Sequence, residues 1–497
     1  MTIQFCGAAR TVTGSCFLLN TGKTKILIDC GAFQGTSDLE SLNREPFPFD
    51  ATEIEYVLLT HAHFDHCGRL PKLVKEGFRG RIISTQPTRE LTEIVLKDAA
   101  KLQAEEYKRW KIRERNGHDN SHNNNHNDAH HLENNHPNHH MNEKYSEEGS
   151  LYEEKEPLYT EADVDATMQL FEIYPYGNSV ALMDGLEFRM RDSGHILGAA
   201  MYEIWVKNEL GRTRKLVFSG DLGQPGQRIV RDPDMVREAD YVVMESTYGN
   251  RLHKSKDDTV LELLSVLKKA SKEGGNILIP TFAIERAQEI IYELNLFFEN
   301  QLLEGLPVYL DSPMAAKATA VFKEFPTFYD EDARRLLEKG DDPFEFDGFE
   351  IIESVEDSKR LVGRNGIVIM AGSGMMTGGR ITHHLANNIE KKTTHIIFVG
   401  YQVKGTLGRR IVDNEPEVRV KGRKMQVKAQ VHTLGGFSAH ADMRDLRYWL
   451  RGFGHSPRQV FIVHGEESIS VGFAANVKQE LSIDTVVPSL NEVFQLD

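Results

Sequence analysis

The sequence has little cysteine, no long apolar run and a shortage of positive charge. Its four cysteines, Cys6, Cys16, Cys30 and Cys67, all lie in the first 67 of 497 residues. Thiols so few and so clustered do not make a disulfide framework; they point to reduced thiols in a cytoplasmic compartment. No apolar stretch approaches the roughly 18 residues that a spanning helix needs, so no membrane partner is expected. The first residues, "MTIQFCGAAR", lack the charged and apolar regions of a secretory signal and read as a strand. Basic residues number 59 against 74 acidic ones, a formal net charge of −15. That balance argues against a chain that grips phosphate over its whole surface. A phosphate site would have to be a local patch. Two basic stretches, "KGTLGRRI" (404–411) and "RVKGRKMQVKAQ" (419–430), can supply one.

What is present is the mix of a globular protein, with 40% hydrophobic and 27% charged residues. Residues 2–30 alternate strand-like runs with glycine turns, as in hairpins. Apolar spacing over 88–115 is helical. Composition then breaks: residues 116–145 hold ten Asn and eight His and almost no apolar surface. Such a stretch cannot offset the entropy of ordering, so it reads as a disordered insertion, and its irregular spacing argues against a defined metal site. Strands resume with "LEFRMRDSGHILGAAMYEIWV", "RKLVFSGDLG" and "ADYVVMESTYGNR". From about residue 251 helices and strands alternate, with helices expected near 257–272, 315–338 and 379–391. That alternation implies a parallel sheet covered by helices. The organisation predicted is one domain, 1–249 and 421–497, interrupted by a second at 250–420.

Chemistry concentrates in "VLLTHAHFDHCGRL" (57–70), where His61, His63, Asp65 and His66 follow an apolar strand. Imidazole and carboxylate are ligands for zinc and similar metals, and four candidates in six residues are more than a polar turn needs. Three further residues share one context, a ligand-type side chain at the end of an apolar strand beside glycine: His195 in "DSGHILGAA", Asp221 in "FSGDLG" and His464 in "VFIVHGE". None is decisive alone; the shared context is the signal.

These residues resemble the metallo-β-lactamase superfamily, whose signature H-x-H-x-D-H matches "HAHFDH". "ESTYGNR" (245–251), "GFSAHAD" (436–442) and "VHGE" (463–466) resemble the extra motifs of its β-CASP branch, which acts on nucleic acids. "PTFAIERAQEI", "DSPMA", "GMMTGGR" and "GYQVKGTLGR" are similar to that branch's inserted domain. The resemblance implies an α/β fold: an αββα sandwich interrupted by an α/β domain with a mainly parallel sheet. It implies two zinc ions per chain. His61, His63 and His195 would hold one; Asp65, His66 and His464 the other; Asp221 would bridge. Asp29 would support the ligands from behind. Asp65, Glu245 and His440 form the implied catalytic set, with His440 the candidate general acid and Glu245 its orienting partner. Glycine-rich turns that open helices suit phosphate. Ser438, Thr377, Gly378, Arg380, Lys404 and Arg409 are the candidate RNA contacts.

The implied function is a ribonuclease hydrolysing phosphodiester bonds of single-stranded RNA, as an endonuclease, a 5′ exonuclease or both. Hydrolysis of another ester, or a noncatalytic RNA-binding role, stay as alternatives. The chain begins at its first strand and ends soon after His464, so appended RNA-binding domains are not expected, and a homodimer would add binding surface.

Overall fold

A computed structural model describes residues 1–119, 156–207 and 211–497, with side chains of 113–119 not described. The His/Asn-rich segment expected to be disordered lies outside the described residues beyond Asp119. Two seven-stranded sheets and one six-stranded sheet organise the chain.

The first sheet runs in the order Val493–Gln495, Thr2–Phe5, Phe17–Asn20, Lys25–Ile28, Ile54–Leu58, Arg81–Ser84, Phe171–Ile173. The second runs Thr485–Val486, Gln459–Val463, Tyr241–Glu245, Thr213–Phe218, Ala200–Lys207, Leu186–Asp192, Ser179–Met183. Their stacking follows from side-chain alternation along each strand. Ile26, Ile28 and Leu58 face inward and share a core with Phe218, Val243 and Phe461 of the second sheet. Leu27, Val57 and Leu59 face outward under Leu73, Leu91 and Val95 of covering helices. On the far side, Val217, Val242 and Ile462 pack against Leu446, Trp449 and Phe473 of the helices Met443–Arg451 and Glu467–Leu481. This is the αββα sandwich.

The third sheet is parallel throughout, in the order Phe349–Ile351, Val308–Leu310, Val368–Ala371, Ile277–Pro280, His395–Phe398, Gln430–Thr433. Both faces are buried: Ile277 and Ile279 under Leu263 and Ile290, Leu278 and Ile369 under Ile381 and Leu385. Helices on both faces explain why its four central strands read as continuous, largely apolar runs.

Two expectations need correction. The helix expected near 315–338 is broken into Pro313–Glu324, a single turn at Pro326–Phe328, and Glu331–Glu338. Pro326 lacks the amide a continuing helix needs, and Asp330 starts the next helix by accepting from the Ala333 amide at 2.7 Å. The expected return to the sandwich at 421 is also early. Gln430–Thr433 pairs in register with His395–Phe398, so the inserted sheet keeps the chain until Thr433. Among the described residues no helix is long and apolar enough to cross a membrane.

Candidate metal centre and active site

Parallel pairing brings strand ends to one level, and side chains just past those ends converge. In the first sheet, Ile28 is level with Leu58, so Asp29 lies beside Thr60 and His61. In the second, Phe218 is level with Val243 and Glu245 with Val463, which places Asp221, Glu245 and His464 along one edge. The two edges meet.

Asp29 adopts a left-handed φ of 61°, uncommon for a residue with a β-carbon. Its carboxylate accepts from the Thr60 amide at 2.7 Å, the Thr60 hydroxyl at 2.8 Å and His66 Nδ1 at 2.7 Å. The last bond leaves His66 Nε2 facing inward, 3.3 Å from His464 Nε2 and 3.4 Å from Asp221 Oδ2. Thr247 Oγ1 stands 3.0 Å from His464 Nδ1 on the opposite side. Such outer partners fix ring orientation and tautomer.

His61 Nε2 is 3.1 Å from His63 Nδ1, and His195 Nε2 is 3.2 Å from that same atom. Asp221 Oδ2 lies 3.6 Å from His61 Nε2, 3.5 Å from His195 Nε2 and 3.4 Å from His66 Nε2. Asp65 Oδ2 is 3.4 Å from His464 Nε2. Ligand atoms of His61, His63, His195 and Asp221 form one cluster, those of Asp65, His66 and His464 a second. Glycines permit this crowding. A β-carbon at Gly223 would lie 1.8 Å from the Gly194 carbonyl oxygen, beneath the His195 loop.

The electrostatics separate the groups. Burial pushes His61 and His195 well below the ordinary imidazole value and His63 down to about 4, so each offers a lone pair. Burial also opposes a charge on His66, but Asp221 and Asp29 outweigh it and carry His66 well above its usual value. Burial would raise Asp221; His464 and His66 instead hold it well below the carboxylate range. Converging imidazole nitrogens around a buried, partly unpartnered Asp221 carboxylate are a donor set that fits a metal.

Beside this cluster, His440 Nδ1 lies 3.1 Å and 3.3 Å from the two Glu245 oxygens. Burial disfavours a charged His440, yet Glu245 raises its pKa above the ordinary value. Glu245 also accepts from the Leu222 amide at 2.6 Å. Glu245, Asp221 and His464 form a third possible ligand group. The bonds from His440 and Leu222 engage Glu245 as an orienting carboxylate.

The expected RNA contacts are not brought together in the same way. Ser438 is buried, and its hydroxyl accepts from the His440 amide at 3.3 Å. Arg380 pairs with buried Asp311 at 2.6 Å and donates to the Ile352 and Glu353 carbonyls. Arg409 is held by Asp413 at 3.0 Å. The Thr377 hydroxyl lies 3.1 Å from Ser373 Oγ, and the Gly378 amide donates to Ser373 Oγ at 3.3 Å. Lys404 is exposed, on a loop that reaches Gly35.

Some neighbours escaped the sequence reading. Thr60 and Thr247 lie inside motifs that were singled out for their other residues. Glu285 likewise lies inside "PTFAIERAQEI", a stretch that no site role singled out. It sits at a left-handed φ of 67°, and its carboxylate accepts from the Leu197 amide at 3.1 Å, tying the inserted domain to the His195 loop. Tyr401 does the same at the other end, donating to Glu466 at 2.6 Å.

A sandwich whose two sheets meet at a buried cluster of imidazoles and carboxylates defines a metallo-hydrolase of the β-lactamase type. Comparison with known proteins places it more narrowly. The metallo-beta-lactamase superfamily model matches residues 9–151, the Beta-Casp domain 287–411, and the Zn-dependent metallo-hydrolase RNA specificity domain 424–488. Ribonuclease TTHA0252 of Thermus thermophilus is 39% identical over 468 residues, 94% of each chain. The transcription termination factor FttA of Methanocaldococcus jannaschii is 29% identical over 497 residues, which cover 98% of this chain and 70% of that one. A crystal structure of a protein of unknown function from Enterococcus faecalis V583 superimposes with a TM-score of 0.52 at 11% identity, covering 100% of this chain and 99% of that one, a likeness of fold. The chain belongs to the β-CASP nucleases of the metallo-β-lactamase superfamily.

Proposed function

We propose that the protein is a zinc-dependent ribonuclease that hydrolyses phosphodiester bonds of single-stranded RNA in RNA processing or decay. The observation that carries this reading is the seven-residue donor set, five of them buried and His63 and Asp65 half-buried, standing next to the Glu245–His440 pair. The 39% identity to a ribonuclease over nearly the whole chain supports the choice of substrate.

The donors divide into two sets. His61, His63 and His195 would hold one zinc and Asp65, His66 and His464 another, with Asp221 shared. Bound zinc supplies a Lewis acid that makes water nucleophilic near neutral pH and offsets charge on phosphoryl oxygens. The chain's own residues do the rest. Asp29 and Thr247 orient His66 and His464 from outside the cluster. Glu245 engages His440 Nδ1 and favours its protonated form, so His440 can give a proton to the departing ribose oxygen. Glu285 and Tyr401 tether the inserted domain over the cleft and so limit water access around the reacting phosphate.

The reading includes a reducing cytoplasm, supported by four buried free cysteines. It also includes a homodimer. One edge strand of the inserted domain, Phe349–Ile351, has Ile351 40% exposed and, among the described residues, an outer edge with no strand paired to it, an arrangement that suits pairing between two copies, which sedimentation would test.

Cleavage of a 5′-labelled single-stranded RNA, alongside DNA of the same sequence, tests the function. RNA fragments that disappear when metal is chelated and return with zinc are expected. Cleavage of neither strand under zinc-replete conditions would overturn the ribonuclease reading.

A further inference from the structure

Phe282 is an aromatic side chain set beside the donor cluster and apart from the apolar cores. It leaves the strand Ile277–Pro280 of the inserted domain and remains half-buried. It belongs to none of the four apolar clusters that make the cores. Its ring centre is 6.5 Å from that of His63, with the planes tilted by 49°.

Two glycines hold the ring there. A β-carbon at Gly374 would lie 2.6 Å from Phe282 Cδ2, and one at Gly400 would lie 3.1 Å from Cε2. The ring fills the space those absent β-carbons leave. The backbone is also fixed, since Thr281 donates to the Ala371 carbonyl at 3.1 Å and Ala287 donates to the Phe282 carbonyl at 3.2 Å. The cleft's other aromatics are already engaged. Tyr248 and Tyr401 meet edge to face at 5.5 Å, and the Tyr401 hydroxyl is bound to Glu466.

We propose that Phe282 is the surface on which the nucleobase beside the reacting phosphate stacks. The inference rests on the ribonuclease reading and names a substrate contact within it. A phosphate at the donor cluster would be adjacent to His63, and the base of the same nucleotide lies one ribose away, within reach of this ring. Every base has an aromatic face, so stacking there positions the strand without selecting its sequence. The contact also supplies binding without positive charge, which suits a chain of net charge −15.

The test uses a short labelled RNA whose cleavage position is first mapped with the parent enzyme. Phe282→Leu should lower kcat/KM about tenfold or more, the loss of one base–aromatic stack, mainly through KM. Zinc content and melting temperature should stay unchanged, and Phe282→Tyr should restore cleavage. Replacing the base beside the cleaved phosphate by an abasic residue should lower parent cleavage by a similar factor and leave Phe282→Leu no worse. Equal cleavage by parent and Phe282→Leu would overturn the inference, as would a Leu variant that loses the same factor again on the abasic strand. A parent that cuts no RNA would overturn the ribonuclease reading instead.

Discussion

On the sandwich side of the cleft, His61, His66, His195, Asp221, Glu245 and His464 are nearly inaccessible, and their polar atoms converge on one another. On the inserted-domain side, Arg380 and Arg409 are partly exposed but already paired within their own domain. His61, His63 and His195, which burial keeps uncharged, turn ring nitrogens toward one another, a costly arrangement that suits a ligand between them. The inserted-domain arrangement is ordinary structural pairing, in which a guanidinium satisfies a nearby carboxylate. A cluster of ligand-type side chains therefore says more about chemistry than a basic stretch does.

The contrast predicts graded effects. In the proposed centre the two donor sets share the Asp221 carboxylate, so Asp221→Asn should bring metal content and RNA cleavage to background. Full zinc occupancy in that variant would show that Asp221 is not shared. Asp29→Asn should act more gently, weakening zinc affinity by about 10- to 100-fold, because Asp29 orients His66 without being a ligand. Titration with a zinc-competing chelator measures this.

Glu285 links the two sides, and burial raises its carboxyl pKa from 4.5 to about 7. Its folded form therefore holds a proton that the unfolded chain releases. Its contribution to stability is fully present below about pH 4.5 and is lost as pH rises towards about 7. Metal-free parent and Glu285→Gln should unfold alike near pH 4.5, with the variant gaining about 3 kcal/mol above pH 7. A pH-independent difference in denaturant midpoints would contradict the assignment.

The smallest effect concerns Arg380→Ala. It leaves Asp311, whose side chain is fully buried, with His384 and Ser358 alone, and should cost about 1–3 kcal/mol of stability. The folded fraction should cut RNA at the parent rate. Unchanged stability with weaker RNA binding would put Arg380 on the phosphate path.

The ligand candidates were legible because their signal is local. Asp221 and His464 each follow an apolar strand and adjoin glycine, and parallel pairing then sets those strand ends level, while His195 follows the alternating strand Leu186–Asp192 beside Gly194. The alternation of Ile26, Leu27 and Ile28 between two cores likewise follows from strand geometry. The phosphate contacts were not legible in this way. Whether Arg380 is free depends on Asp311, 69 residues away in the chain. Sheet membership of Gln430–Thr433 is equally non-local, which displaced the expected domain boundary. The break at Pro326 did have a local signal, in a proline that the helical apolar spacing outweighed.

In the proposed mechanism one set of residues holds metal while another, His440 with Glu245, moves the proton. Zinc content and RNA cleavage measured together on the parent and His440→Ala test it most directly. Two zinc ions per chain are expected in both proteins, with cleavage lowered by about 10²- to 10⁴-fold in the variant. A variant that cuts RNA at the parent rate, or one that loses its zinc, would contradict that division of labour.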